Sequence, residues 1–153
     1  MDWFRYRFHC VWDLDAPPEA VFAALARPAD YPRWWPQVRA VTDLGDGRGS
    51  ARFRSLLPYE LAVTARAVCR DPQSGVLRIA LHGDLEGWAR WTVVPRGPGS
   101  GTRAVYDQEV EIRRPLMRRL AVPCRPLFRV NHAVMMRAGR TGLGRYLRRG
   151  PSI

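Results

Sequence analysis

The sequence contains no lysine; all 25 of its basic residues are arginine. That choice, with many alanines, glycines and prolines, fits GC-rich coding pressure as well as selection for a task. Carboxylates run out early: none follows Glu111, although at least ten arginines lie between Arg113 and Arg149. Cysteine is scarce. Cys10, Cys69 and Cys124 are odd in number, and their spacing matches neither a disulfide framework nor a metal-binding motif. They read as reduced, mostly buried thiols of a reducing compartment. No run approaches the roughly 20 apolar residues that span a bilayer. The opening MDWFRYRFHC has no uninterrupted apolar stretch before its charges, so no secretory leader is expected and the expected location is the cytoplasm. There is no internal repeat and no linker composition. Nor is there a nucleophile motif, a glycine-rich phosphate loop after a strand, or a cluster with metal-ligand spacing. No cofactor and no metal are expected.

What is present bounds the class. A chain of 153 residues points to one domain over 1–153, long enough to bury roughly 68–70% of its unfolded surface. Hydrophobic residues make up 46% and six are tryptophan, which excludes a disordered chain. The net charge of +11 allows contact with nucleic acid, anionic lipid or an acidic protein, and composition alone does not choose among them.

Residues 3 to 14 alternate with period two and are rich in aromatics, which predicts a strand. Asp15-Ala16-Pro17-Pro18 ends it and opens a helix over EAVFAALARP, stopped at Pro28. The run Asp30-Tyr31-Pro32-Arg33-Trp34-Trp35-Pro36 is too short and proline-rich for more than one helical turn. Six strands then follow, separated by turn signals: Val38–Leu44, Ser50–Leu57, Tyr59–Arg70, Val76–His82, Leu85–Pro95 and Thr102–Arg113. Arg114-Pro115 starts a short helical piece, LMRRLAV, interrupted at Pro123.

The last helix runs from about Pro126 to Arg149. At about 100° per residue, Phe128, Met135, Gly139, Gly142, Leu143 and Tyr146 share one face. Asn131 and His132 flank that face, and Arg129, Arg137, Arg140 and Arg148 project from its back. Two glycines on a buried face cost about 1 kcal/mol each in helix propensity, so something must approach the backbone there. The face reads either as a core contact with satisfied polar edges or as the wall of a cavity that offers polar groups to a hydrophobic guest.

Sequential strands with tight turns give an antiparallel sheet. One helix cannot cover seven strands, so the sheet must curl around it and the short helices must plug an end. The expected class is therefore α+β, with a pocket between curved sheet and helix.

In this order of elements, in the run APPEAVFAALARPADYPRWWPQVRAV (Ala16 to Val41), in GTRAVYDQEVEI (Gly101 to Ile112) and in the closing helix, the chain resembles the START/Bet v1-like superfamily of polyketide cyclase/dehydrase and lipid-transport proteins. The resemblance covers essentially the whole chain. It implies a helix-grip fold: a seven-stranded curved antiparallel sheet around a long C-terminal helix, two short helices after the first strand, and a deep apolar cavity. Members bind sterols, lipids, polyketides and plant hormones; some catalyse cyclisation or aromatisation and others only carry a ligand. With no universal catalytic motif in the family, no catalytic residue carries over.

The candidate cavity residues are Trp34 and Trp35 at the mouth, with Arg54, Tyr59, Trp88, Tyr106, Phe128, Asn131, His132 and Met135. Arg66 and His82 share parity with outward residues and lean to solvent. Trp88 shares parity with Arg90; if Gly87 and Ala89 face the other side, Trp91 is the cavity residue instead, and the sequence leaves that register open. A catalytic reading needs an acid or base in an apolar pocket, and His132, Tyr106 and Asn131 are the candidates, with Arg54 as a further polar group. His9, His82 and His132 lie on separate elements.

The expected function is binding of a hydrophobic small molecule, a lipid or polyketide-like compound. The alternatives are a polyketide cyclase or aromatase using the same cavity, and a basic module for RNA, ribosome or anionic membrane. The last is lowered by the lack of aromatics interleaved with the basic segment. Oligomeric state is not legible.

Overall fold

Period-two alternation builds the sheet. In the computed structural model, which describes residues 4–54, 60–97, 101–113, 115–120 and 123–149, β1 (Arg5–Leu14) buries Tyr6, Trp12 and Leu14 and turns Arg5, Arg7, His9 and Asp13 to solvent. Pro18 opens α1 (Pro18–Leu25), which buries Val21, Phe22 and Leu25. Proline is harmless there because the first helical N–H groups have no intrahelical partner. A 3₁₀ turn (Pro28–Asp30) leads into the single turn α2 (Tyr31–Trp34).

Six further strands follow: β2 (Val38–Gly45), β3 (Arg48–Phe53), β4 (Leu61–Asp71), β5 (Val76–Gly83), β6 (Leu85–Pro95) and β7 (Thr102–Ile112). The second of these was expected over Ser50–Leu57; its C-terminal part, with Tyr59, lies outside the described residues. Together with β1 they form one antiparallel sheet in the order β1-β7-β6-β5-β4-β3-β2. Consecutive strands pair through tight turns, while β1 and β2 form opposite edges. The segment between them therefore crosses the sheet, with α1 packed on β6 and β7, and α2 on β2 and the last helix. Register shifts at Val38/Ala40, Asp43/Gly45 and Ala67/Cys69 bend the strands where they occur. The sheet is curved, as the helix-grip expectation required.

α3 (Pro115–Leu120) precedes the long α4 (Arg125–Arg149). α4 begins one residue before the predicted Pro126, which falls within its first turn. Phe128, Met136, Gly139 and Leu143 are its buried residues. The methionine seated in the core is thus Met136, 3% exposed, and Met135 is only partly buried. The two adjacent positions differ by about 100° of helix rotation, and the core lies on the Met136 side. The helix back is not purely basic either, since Leu127, Val130 and Val134 are exposed there beside the arginines.

The inner face holds two packed groups. Trp12, Trp34, Trp35, Trp91, Phe22, Leu25, Val93, Met136 and Leu143 make one. Tyr6, Val63, Leu81, Ala89, Val110, Ile112 and Phe128 make the other. The glycines explain how α4 meets the first group. A Cβ on Gly139 would lie 2.5 Å from Trp35 Cε2 and 2.8 Å from Trp12 Cη2. One on Gly142 would lie 1.7 Å from the carbonyl oxygen of Trp34. What approaches the helix backbone is therefore tryptophan and the chain that carries it.

Candidate functional site

β7 sets the site. Its even-numbered residues face inward, and between apolar Ala104 and Val110 that face carries two polar side chains, Tyr106 and Gln108. In the β1–β7 register Phe8 lies opposite Gln108. His132 of α4 stands one turn after buried Phe128 and comes down onto this pair. The Phe8 ring and the imidazole stack with centroids 3.7 Å apart and planes 10° apart. Gln108 Oε1 accepts the Tyr106 hydroxyl at 2.5 Å and lies 3.2 Å from His132 Nε2. An amide oxygen only accepts, so Nε2 carries the imidazole proton and Nδ1 keeps its lone pair.

Burial controls the charge of this group. Desolvation lowers the His132 pKa from 6.5 to about 4. Desolvation likewise raises the Tyr106 hydroxyl, with Tyr31 and Cys10 adding in the same direction. Both are neutral at neutral pH. A general base works best with a pKa near the operating pH, and His132 sits well below it. The Tyr106 proton is already engaged by Gln108. The arrangement is therefore a neutral hydrogen-bonding group in apolar surroundings, able to hold a carbonyl or hydroxyl of a bound molecule.

Tyr106 packs on both core groups, with its ring centroid 4.7 Å from that of Trp91. On the tryptophan side the interior is closed. On the other side the inward Phe8, Phe53, Leu61, Ala65, Ile79 and Leu85 remain partly exposed, so that half of the concave face is apolar and not sealed. Two hollows open on the surface. One of about 460 Å³ is lined by Pro32, Pro36, Val38, Arg39, Arg52 and Glu60. The other, about 570 Å³, is a groove between α2 and α4. Neither includes Tyr106, Gln108 or His132, so the enclosed chamber expected between sheet and helix is neither of these hollows.

The candidates separate as follows. Tyr106 and His132 come together, and Phe128 and Asn131 lie close by on α4. Trp34 and Trp35, expected at a mouth, are instead core residues at 4% and 5% exposure. They stack on each other and crowd Trp12 and Tyr31, the helix ending at Trp34 and Trp35 following in extended backbone. The Trp35 indole donates to the Met135 carbonyl at 2.8 Å, which is Met135's part in the site. Trp88 is corrected to the outer face, where Arg78 and Arg90 lie 5.0 and 5.5 Å from its ring; Trp91 faces inward. Arg54, Arg66 and His82 are exposed, and Tyr59 lies outside the described residues. Gln108 was missed. Its signal was a polar residue on the apolar parity of the last strand. Among the described residues no cluster of His, Cys, Asp and Glu has metal-site geometry, and no helix is long and apolar enough to cross a membrane.

A curved antiparallel meander closed by a long C-terminal helix defines a helix-grip protein. Residues 7–146 match the family described as polyketide cyclase / dehydrase and lipid transport, and the chain belongs to that family. Solved structures share the fold at low identity. The ZhuI aromatase/cyclase from Streptomyces sp. R1128 is 15% identical, with 97% of this chain and 99% of that one covered and a TM-score of 0.72. A START superfamily protein from Mycobacterium smegmatis is 14% identical over 85% of this chain and 93% of the other, with a TM-score of 0.65. A norcoclaurine synthase variant from Thalictrum is 13% identical over 97% of each chain, with a TM-score of 0.67. No curated protein matches the sequence.

Proposed function

We propose that this protein binds a hydrophobic small molecule, a lipid or polyketide-like compound, on the inner face between sheet and α4, and does no chemistry on it. A neutral, desolvated hydrogen-bonding group on a half-open apolar surface carries this reading: Tyr106, Gln108 and His132 orient a ligand oxygen, while Phe8, Phe53, Leu61 and Ile79 supply apolar contact. Family membership supports the same ligand class. The low basicity of His132 argues against a proton-transfer role.

Native mass spectrometry of the purified protein, with denaturing extraction of whatever is retained, tests it. A retained lipid- or polyketide-sized mass that is lost in Ile79→Asp, a variant checked for folding by circular dichroism, is the expected result. A protein that neither retains nor takes up such compounds overturns it. Turnover of a polyketide-like chain that disappears in Tyr106→Phe would replace the carrier reading by the cyclase one.

A further inference from the structure

Several arginines on the outer face of the sheet meet carboxylates: Arg5 with Glu109 at 3.0 Å, Arg90 with Asp107 at 3.2 Å, and Arg103 with Asp13 at 3.1 Å. α4 carries no carboxylate of its own, since none follows Glu111 in the sequence. Arg137, Arg145 and Arg149 project from its outer face, and with Arg33 of α2 they line the groove of about 570 Å³. Among the described residues, Arg33 alone of the four has a carboxylate near, Asp30 at 3.8 Å. Trp34 also lines the groove. Thr141 adds a hydroxyl. The groove gathers cations and donors and calls for an anionic oxygen ligand.

The same face of α4 carries a second feature. Leu127, Val130 and Val134 are 40%, 52% and 43% exposed. They fall within about 60° of one another on the helix wheel, and Val134 also lines the groove. An aliphatic stripe thus runs along the first half of the helix and passes into the arginine-lined groove along the second. Aliphatic side chains gain nothing from a nucleic acid backbone, whose single-stranded forms are held by aromatic stacking. They do gain from the acyl boundary of a bilayer, where an amphipathic helix lies flat with its cations at the headgroups.

We propose that the outer face of α4 docks on an anionic phospholipid bilayer, with a headgroup phosphate held in the α2–α4 groove and Leu127, Val130 and Val134 entering the acyl boundary. This surface lies on the opposite side of α4 from the Tyr106–Gln108–His132 group, so the proposal does not depend on the ligand reading.

Vesicle co-sedimentation tests it on the full chain. The protein pellets with phosphatidylcholine vesicles containing phosphatidylglycerol, stays in solution with phosphatidylcholine alone, and is released as salt is raised. Arg137→Gln with Arg145→Gln, both exposed positions, weakens binding by about 25-fold, at roughly fivefold per arginine near an anionic surface. Val130→Ser with Val134→Ser weakens it severalfold at unchanged salt dependence. Arg103→Gln on the outer face of the sheet leaves it unchanged. Equal binding to both kinds of vesicle overturns the proposal, as does full binding by the double arginine variant. Displacement by millimolar inorganic phosphate would make the groove a site for free anions and not a docking surface. Binding of unstructured RNA by a protein that ignores the vesicles would replace the bilayer by nucleic acid.

Discussion

The two ends of the inner face are built from similar aromatic and aliphatic residues, yet one is sealed and the other is not. At the sealed end Trp12, Trp34, Trp35 and Trp91 interlock with centroid separations of 4.6–6.5 Å. Gly139 and Gly142 let α4 close onto them without a side chain between. At the other end Phe128 and His132 of the helix meet Tyr6 and Phe8, while inward Phe53, Leu61, Ala65 and Ile79 of β3 to β5 stay partly uncovered. The boundary is the polar group of Tyr106, Gln108 and His132. Stability is thus concentrated at one end, and freedom to accept a guest at the other.

The comparison breaks most severely at Trp12. Trp12→Ala removes the ring that touches Trp34, Trp35 and Trp91, and loses about 3–5 kcal/mol. Chemical denaturation followed by far-ultraviolet circular dichroism measures it. A loss below about 1 kcal/mol would show that this end is not the stability centre.

Acid acts at the boundary. Well above pH 6.5 the imidazole of His132 is neutral whether the chain is folded or not, and nothing is lost. Between 6.5 and about 4 the unfolded chain takes up a proton that the folded chain refuses. Stability then falls by up to about 3 kcal/mol in total. Asp107, held below its usual value chiefly by His9 and then by Arg90, contributes only at lower pH. Urea midpoints measured from pH 7 to 4 should fall in the wild type and flatten in His132→Leu.

Gly142→Ala sharpens the contrast between helix positions. Its methyl would overlap the Trp34 carbonyl, so α4 must shift from α2 at a cost of about 1–3 kcal/mol. Gly144 has open space around a Cβ, and Gly144→Ala should gain up to about 1 kcal/mol in the same melt. Two glycines two residues apart would then move stability in opposite directions.

A further modest loss is expected for Gln108→Leu. It leaves the buried Tyr106 hydroxyl without its acceptor and costs about 1–2 kcal/mol. The double variant with Tyr106→Phe should recover part of that loss, because it removes the orphaned hydroxyl and leaves only His132 Nε2–H without its acceptor. Failure to recover would mean that the two side chains are not coupled.

Element order was readable wherever a period was long and clean. β7 and β1 alternate without interruption, so their inward faces could be written from the sequence, Tyr106 among them. β6 could not be oriented, because Trp88 and Trp91 sit on opposite parities and each is large enough for a core. Pairing with β7 decided it, placing Trp91 opposite Tyr106 and Trp88 opposite Glu109. On α4 the wheel located Phe128, Gly139 and Leu143 correctly. It could not choose between Met135 and Met136, since that depends on which side of the wheel the sheet meets. Trp34 and Trp35 read as mouth residues because a proline-flanked single turn resembles an exposed loop. They are buried because a segment joining opposite edges of the sheet must cross its end, and that end is where α4 arrives.

By itself the sequence determined the alternation of strands, the single long helix, the choice of arginine for every basic residue and the carboxylate-free stretch after Glu111. These follow from local periodicity and composition, which need no neighbour to be defined. Only the tertiary structure decided that the tryptophans close one end, that Gln108 joins Tyr106 to His132, and that four arginines gather in one groove. Each of those depends on elements far apart in the chain being brought within hydrogen-bonding or van der Waals distance, and contact at that range is a property of packing.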